Sequence, residues 1–243
     1  MWRARFYNAV PKLIEAHPTH RYLFLTLTVK NCVVSELGAV VAQMNAAWKK
    51  LTKRKQFPAK GWLKAVEVTR NQDERSQSFG TAHPHIHAML VVPSSYFKNE
   101  TYVKQETWRE LWQSCLGVDY LPVVNVKAVK PRPGQDTLSA LRGALTETLK
   151  YTVKPQDLIG KLVGDTDSTE RRANQSWLVE LTRQLKNTRS VAVGGILKGL
   201  IAESDPDDLI HPEGTETSDT EAEALLWFGW RSQVKRYQGI KNV

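Results

Sequence analysis

Three of the six histidines of the chain stand at alternate positions, 83, 85 and 87, of the segment HPHIHAML. Alternate residues of a β-strand point to the same face, so His85 and His87 would point the same way with Cα atoms roughly 6.6 Å apart. Two imidazoles placed in this way can bind one metal ion. His83 has the same parity, but the proline that follows it stands where a strand often begins. The residues of opposite parity are apolar and would pack on the core: Ile86, Ala88 and Leu90.

Glu67 is the candidate third ligand. It lies in a second predicted strand, GWLKAVEVTR (61–70), between two valines, where a carboxylate needs a polar partner. If the two strands form an antiparallel hairpin, pairing Thr69 with His83 puts Glu67 opposite His85 and on the same face. Two histidines and one carboxylate suit a catalytic Mn²⁺ or Mg²⁺ ion, or Zn²⁺. The alternative is a group of half-buried polar residues on one face of a strand.

A second group of reactive side chains lies on a predicted helix, 136–153. One face of this helix carries a stripe of four leucines, Leu138, Leu141, Leu145 and Leu149. The opposite face carries Glu147, Tyr151 and Lys154 above small residues, so that another molecule could approach closely. A tyrosine hydroxyl can form a covalent link to phosphorus, and a neighbouring lysine favours the phenolate. The alternative is a surface tyrosine that packs on its neighbours.

The elements that must position these groups do not alternate strictly between strand and helix. Alternating patterns predict strands over 21–29, 61–70, 83–92 and 123–129. Helical periodicity predicts helices over 35–52, 101–116, 136–153 and 170–186. Ser35 is the predicted N-cap of the first helix, and segment 191–200, with two glycines, fits either a loop or a short buried helix. The order predicts an α+β fold, an antiparallel sheet with packed helices.

The charge distribution indicates a polyanionic partner. The chain has 34 Lys and Arg against 25 Asp and Glu, a net charge of +9. Residues 203–223 hold nine acidic residues and no Lys or Arg, so the remainder carries 34 basic and 16 acidic residues, a net +18. Nucleic acid is the commonest partner for such a surplus. The alternative is a surface that only keeps the protein soluble.

Composition excludes several other classes of protein. Two cysteines, Cys32 and Cys115, are too few for a disulfide framework or a four-cysteine zinc site. No apolar run approaches the roughly 20 residues that span a bilayer, and the N-terminal segment lacks the apolar region of a signal peptide. We therefore expect a reduced, cytoplasmic setting and no membrane partner.

Three motifs in the correct order resemble those of rolling-circle plasmid replication initiators (Rep proteins), single-tyrosine members of the HUH endonuclease superfamily. FLTLTVKN (24–31) is similar to the first motif, Glu67 followed by HPHIHAML (83–90) to the second, and ETLKYTVKPQDL (147–158) to the third. The resemblance covers about 24–158, slightly more than half the chain. It implies an HUH endonuclease fold, with about five antiparallel strands and the histidine strand at the centre.

The resemblance also implies an enzyme, a metal-dependent, site-specific single-strand DNA endonuclease. In such enzymes His85 and His87, with a third ligand, would hold Mn²⁺ or Mg²⁺ at the scissile phosphate. Tyr151 would attack that phosphate, leaving a 5′-phosphotyrosine and a free 3′-OH for replication. Glu147 would act as a general base on water at termination, and Lys154 belongs to the same motif. The implied partners are plasmid origin DNA, as duplex and single-stranded hairpin, a DNA polymerase, and a host helicase, because the chain lacks a Walker-type motif.

The expected organisation is a nickase and origin-binding domain over 1–202, with a helical extension from about 159, an acidic flexible linker over 203–223 and a short C-terminal segment over 224–243. Two alternatives stay open. The first is another HUH nickase, a relaxase or a transposase; relaxases usually place the tyrosine before the histidine motif, whereas here it follows by 64 residues. The second is a non-catalytic nucleic-acid-binding module with a structural metal site, which would need a fourth ligand.

Overall fold

A five-stranded antiparallel sheet is the centre of the protein. The computed structural model describes residues 2–98, 101–149, 168–202, 227–231 and 236–240. The five strands are β1 (Arg21–Thr28), β2 (Gly61–Arg70), β3 (Ala82–Val92), β4 (Val124–Ala128) and β5 (Val191–Gly195). Their order across the sheet is β4-β1-β3-β2-β5, and each neighbouring pair is antiparallel. The histidine strand β3 is therefore central, as the resemblance implies.

Helices cover both faces of this sheet. In the part of the chain that the structure describes they are α1 (Trp2–Ala16), α2 (Leu37–Leu51), α3 (Gln105–Leu116), α4 (Thr137–Thr148), α5 (Ser168–Leu185) and α6 (Ile196–Ala202). The fold is α+β, as the sequence predicts. The predicted strands over 21–29, 61–70, 83–92 and 123–129 agree with β1 to β4 within one residue at each end.

Strand alternation divides the apolar side chains into two cores. One face of the sheet packs under α2, α3 and α5, with Ile86, Ala88 and Leu90 of β3 buried there. The other face packs under α1, α4 and α6, with Met89 and Val91 of β3 in contact with those helices' apolar residues. The second face also carries the odd-numbered residues nearer the N-terminal end of β3, and these include His85 and His87. The apolar cores thus hold β3 in place on both sides.

The start of α2 differs from the prediction. Ser35 is not an N-cap; it lies in a 3₁₀ turn, Val34–Glu36, and α2 begins at Leu37 without a side-chain cap from the preceding residue. Instead, the Gly38 amide donates a hydrogen bond to Oε1 of Gln184 in α5 (3.0 Å). An acceptor from another helix thus satisfies one of the free amides at the start of α2.

Segment 191–200 is neither a loop nor a buried helix throughout. Val191–Gly195 forms the edge strand β5, and α6 follows directly. Gly195 has a φ of +60°, which favours glycine, and a Cβ there would lie 2.0 Å from the Lys60 carbonyl oxygen. The glycines thus permit close packing of β5 against β2, where the sequence pattern fits either a loop or a short buried helix.

Two further predicted helices have different bounds. The helix predicted over 101–116 begins at Gln105. The helix predicted over 136–153 is described as Thr137–Thr148, and Asp136 caps it by accepting a hydrogen bond from the Ser139 amide (2.6 Å). Residues 150–153 lie outside the described residues. The leucine stripe is confirmed, since Leu141 and Leu145 are buried in the core under α4.

The chain's contacts divide it into two units, Met1–Pro206 and Asp207–Val243. In the second unit β6 (Trp227–Arg231) and β7 (Arg236–Ile240) form an antiparallel hairpin. The acidic stretch 203–223 lies outside the described residues. None of the helices in the described ranges has both the length and the apolar composition of a membrane-spanning segment.

Candidate metal centre

The pairing of β2 with β3 brings the predicted ligands together. Thr69 pairs with His83 and Glu67 pairs with His85, which is the register predicted from the sequence. His87, two residues further along β3, points to the same face. Glu67, His85 and His87 form a group of side chains whose ligand atoms all lie within 4.8 Å of one another. We call this group the triad.

The two imidazoles of the triad converge on one carboxylate oxygen. Oε2 of Glu67 lies 2.9 Å from Nε2 of His85 and 2.7 Å from Nε2 of His87. Ligand atoms at right angles around an ion about 2.1 Å away lie about 3.0 Å apart, so these spacings fit one divalent ion. Glu67 is 4% exposed and His87 is 9% exposed, while His85 is half-buried. The side chains of His85 and His87 keep 13% and 11% of their surface exposed, so a small ligand can reach both imidazoles.

The hydrogen bond at Nδ1 of His85 indicates that its Nε2 carries no hydrogen and can donate a lone pair to a metal ion. Nδ1 of His85 lies 3.3 Å from the carbonyl oxygen of His83. A carbonyl oxygen only accepts, so Nδ1 carries the hydrogen, and in the neutral ring Nε2 then has none. That nitrogen faces a carboxylate oxygen, and two acceptors at this distance need a proton or a cation between them. The donor set of the triad thus fits a bound metal ion.

The electrostatics of Glu67 favour the ionised form. Burial raises the pKa of its carboxyl, but the hydrogen bonds from His85 and His87 and the charge of these rings in their protonated forms outweigh burial and hold that pKa well below its usual value. A carboxylate that is ionised throughout the neutral range is the form that binds a divalent cation.

Strand β1 carries the first motif and contributes two residues whose contact with His87 was not predicted from the sequence. Thr26 pairs with His87, and its Oγ1 lies 3.2 Å from His87 Nδ1. The ring of Phe24 stacks on the His87 ring with centroids 5.4 Å apart. Contacts of this kind behind a ligand fix the orientation of its ring. The alternation in FLTLT places Phe24 and Thr26 on one face, but only the non-local pairing of β1 with β3 places that face beside His87.

His83 lies next to the triad without joining it. Its ring meets that of His85 edge to face, with centroids 5.6 Å apart, and it is half-buried. Burial and the neighbouring His85 lower the pKa of His83. His83 is thus placed as a neighbour of a ligand.

The third motif is only partly within the described residues. Glu147 lies in the last turn of α4 and is half-buried. Helix α4 packs through Leu141 and Leu145 on the sheet face that carries the triad. Tyr151 and Lys154, the predicted nucleophile and its neighbour, lie outside the described residues.

Comparisons with known proteins agree with these motifs. A profile of the family described as "Replication protein" matches residues 1–238. The chain is 37% identical over 193 residues to "Protein rep" of Streptococcus pneumoniae, a match that covers 78% of this chain and 53% of that protein. It is 35% identical over 240 residues to "Protein rep" of Lactiplantibacillus plantarum, covering 92% and 71%. It is 31% identical over 239 residues to "Replication protein" of Staphylococcus aureus, covering 95% of each chain.

The chain spans about half the length of the Streptococcus pneumoniae relative and nearly all of the Staphylococcus aureus one. No solved structure matches it significantly. The family profile extends far beyond the three motifs, over both the sheet and the helices that position the triad. On this evidence the chain belongs to the replication protein family, the rolling-circle plasmid Rep initiators that its motifs resemble.

Proposed function

We propose that this protein initiates plasmid replication by binding the origin and nicking one DNA strand through a metal-assisted attack by Tyr151. The observation that carries the proposal is the convergence of the two imidazoles and the carboxylate of the triad on one point. Phosphoryl transfer depends on positioning and charge neutralisation more than on acid–base strength. A site of this kind suits that chemistry.

Within this proposal the triad holds Mn²⁺ or Mg²⁺. When bound, the ion neutralises charge on the scissile phosphate and orients it. His85 and His87 would hold the ion through Nε2, and the buried carboxylate of Glu67 would supply the negative charge. Thr26 and the carbonyl of His83 hold the two rings from behind.

Tyr151 is the proposed nucleophile. Its phenolate oxygen forms a bond to phosphorus while the bond from phosphorus to the 3′ oxygen breaks. This leaves a 5′-phosphotyrosine and a 3′ oxygen that takes a proton from water to become the free 3′-OH. Lys154 favours the phenolate form that attacks. Glu147 acts as a general base on water at termination, when the tyrosine is already linked to DNA. The packing of α4 on the triad's face of the sheet supports this arrangement, because the motif continues from that helix.

The proposed partners follow from the same reaction. Origin DNA is bound as duplex and as a single-stranded hairpin, a host helicase unwinds the duplex, and a polymerase extends the 3′-OH, all in the cytoplasm. Asn125 and Lys127 of β4 support an approach of DNA to this face, because they pair with Thr26 and Phe24 and are exposed. We infer the domain organisation given above, with the acidic linker over 203–223, on sequence grounds alone.

The test is formation of a protein–DNA adduct. The full chain is mixed with a random pool of single-stranded oligonucleotides and Mn²⁺, and an adduct that resists SDS is expected. Mass spectrometry should place the nucleotide on Tyr151, and Tyr151→Phe should form no adduct. Tyr102→Phe is the matched control, since Tyr102 is 49% exposed and lies outside the third motif. An adduct that persists in Tyr151→Phe would refute the assignment of the nucleophile.

The same experiment separates a nickase from a non-catalytic module. A module with a structural metal site would form no adduct, whereas a relaxase or transposase would form one. The family membership favours an initiator over these other nickases. Within the described residues the triad has three ligands, while a structural zinc site is usually closed by four.

A further inference from the structure

A second polar site lies on the face of the sheet opposite the triad. It is a cavity of about 470 Å³ between α2, β2, β5 and the turn after α5. Lys64 lines this cavity, and because it lies three residues before Glu67 in β2 its side chain points to the other face. The exposed residues Lys49 and Arg189 also line it. The cavity is therefore separate from the metal centre and basic.

Lys64 is an unusual residue for the interior of a sheet, since it is only 2% exposed. Its ammonium group has three hydrogen-bond donors. Among the described residues, the acceptor within hydrogen-bond distance is Oδ1 of Asn45. Asn45 is itself oriented by the hydrogen bond that its Nδ2 donates to the carbonyl of Arg189 (3.5 Å). The amide oxygen of Asn45 thus accepts a hydrogen bond from one of the three N–H donors of the ammonium group.

The charges around Lys64 are of the same sign. Burial, followed by the positive charges of Arg189 and Lys49, lowers the pKa of Lys64 to about 8. No carboxylate in the described part of the chain forms an ion pair with it. A buried charge without a counter-ion is costly, and an anion in the cavity would remove that cost.

Aromatic rings form one wall of the cavity. Trp48 and Trp62 line it and meet edge to face, with centroids 5.2 Å apart. Trp62 packs closely on Gly194 of β5, where a Cβ would lie 2.4 Å from the indole. An indole held in this way offers a surface on which a nucleobase can stack.

We propose that this cavity binds the phosphate group of a nucleotide unit, with Lys64, Lys49 and Arg189 as the cationic partners and Trp62 beside the base. The nucleotide comes either from a free nucleoside phosphate or from a DNA strand, since both present the same group. The site goes beyond the nicking reaction, because it lies across the sheet from the triad and needs neither the metal nor Tyr151.

The test measures binding by isothermal titration calorimetry to the full chain in EDTA, which removes the contribution of the metal centre. The probes are inorganic phosphate, deoxyadenosine monophosphate and a 12-nucleotide single strand. Lys64→Met should weaken binding of at least one probe by about tenfold or more, because hydrogen bonds to a charged group are the strong ones. Lys49→Gln should weaken the same probe. The matched control is Lys50→Gln, a neighbouring exposed residue of α2 that does not line the cavity, and it should bind like the wild type.

The pattern of losses identifies the source of the phosphate. A loss with phosphate and the mononucleotide assigns a free ligand, and a loss with the 12-mer alone assigns a DNA strand. Equal binding of all three probes by wild type and Lys64→Met, or no binding of any probe to the wild type, would overturn the proposal. Circular dichroism melting should show Lys64→Met at least as stable as the wild type, since an apolar residue replaces a buried charge. If Lys64→Met does not fold, the proposal is tested by the binding of the probes to Lys49→Gln, which changes an exposed residue.

Discussion

At the scale of single residues, one carboxylate oxygen of Glu67 contacts both imidazoles of the triad. The position of each of the three side chains therefore depends on the other two. We expect His87→Ala to lower Mn²⁺ affinity at least about 100-fold, since even partners behind a ligand contribute about 10–100-fold. Nicking should be lost, while DNA affinity, which depends mainly on Lys and Arg contacts to phosphates, should largely remain. Calorimetry with Mn²⁺ and a gel-shift assay measure the two effects.

His83→Ala is the matched control for this change. His83 lies on the same strand and the same face, but outside the triad, so its loss should leave Mn²⁺ binding within a few-fold of the wild type. Normal nicking by His87→Ala would show that the triad is not the metal centre of the reaction.

Glu147 is expected to act late in the replication cycle. Glu147→Ala should still nick and form the Tyr151 adduct, because the carboxylate is proposed to activate water only after the tyrosine has been used. Replication should then run past one unit length. The measurement is the yield of unit-length single-stranded circles, with exposed Glu110→Ala as a control away from the third motif. An unchanged yield of circles would leave Glu147 as an ordinary residue of the helix surface.

The buried ammonium group of Lys64 should make the stability of the protein depend on pH. Its pKa falls from 10.5 to about 8 on folding, so the unfolded chain binds the proton more tightly between these values. The free energy of unfolding should therefore rise with pH across this window, by about 2 kcal/mol between pH 7 and 9.5. Urea unfolding of the wild type and of Lys64→Met should be measured at both pH values. The rise that is present in the wild type and absent from Lys64→Met is the contribution of Lys64. A difference that does not change with pH would mean that Lys64 is not desolvated in the folded state.

At the scale of secondary-structure elements, α5 is attached to the tip of the β2–β3 hairpin. Nε1 of Trp177 donates to the carbonyl of Gly80 (3.1 Å), and the Arg70 guanidinium lies over the Trp177 ring, 5.2 Å from its centroid. Trp177 is 7% exposed, so Trp177→Ala should lower the free energy of unfolding by about 3–5 kcal/mol. Val179→Ala on the same helix is the control, because Val179 is 69% exposed and should change stability by less than about 0.5 kcal/mol. Equal values in urea unfolding would show that α5 is not held through Trp177.

The β2–β3 hairpin and its ligands could be predicted from the sequence because the relevant information is local. The alternation of apolar and polar residues in HPHIHAML and VEV fixes which side chains share a face, and a register shift of one residue would bury the wrong set. Strand parity places Glu67 on the face of His85 and His87, but a shift of two residues would keep that face. The pairing of Glu67 with His85 also needed the assumed pairing of Thr69 with His83, which the structure confirms.

Features that depend on distant parts of the chain could not be predicted in this way. The contact of Thr26 with His87 requires β1 to lie beside β3, and the Gln184 cap on α2 comes from a helix about 150 residues later. The glycines of β5 fit a loop or a short buried helix until their neighbours are known, namely the indole of Trp62 and the carbonyl of Lys60. Tertiary contacts therefore decide what these residues do.

At the scale of the whole molecule, a strongly basic chain carries one acidic stretch, 203–223. We expect this stretch to screen the basic surface from nonspecific DNA. Replacing it with a Gly/Ser linker of equal length should raise affinity for a nonspecific duplex, with the largest gain at low salt, because the added attraction is electrostatic. Gel-shift titrations at several salt concentrations measure the effect. Identical affinities at every salt concentration would show that the stretch does not screen the DNA-binding surface.

The order of elements along the chain has a consequence for the newborn protein. All three residues of the triad, and Thr26 behind them, lie in strands that end by Val92, and α1 and α2, which cover the two sheet faces, precede that point as well. Translation therefore adds all three residues of the triad well before it adds Tyr151. The residues proposed to hold the metal ion can therefore come together in the hairpin while the chain still lacks the residue proposed to cut DNA.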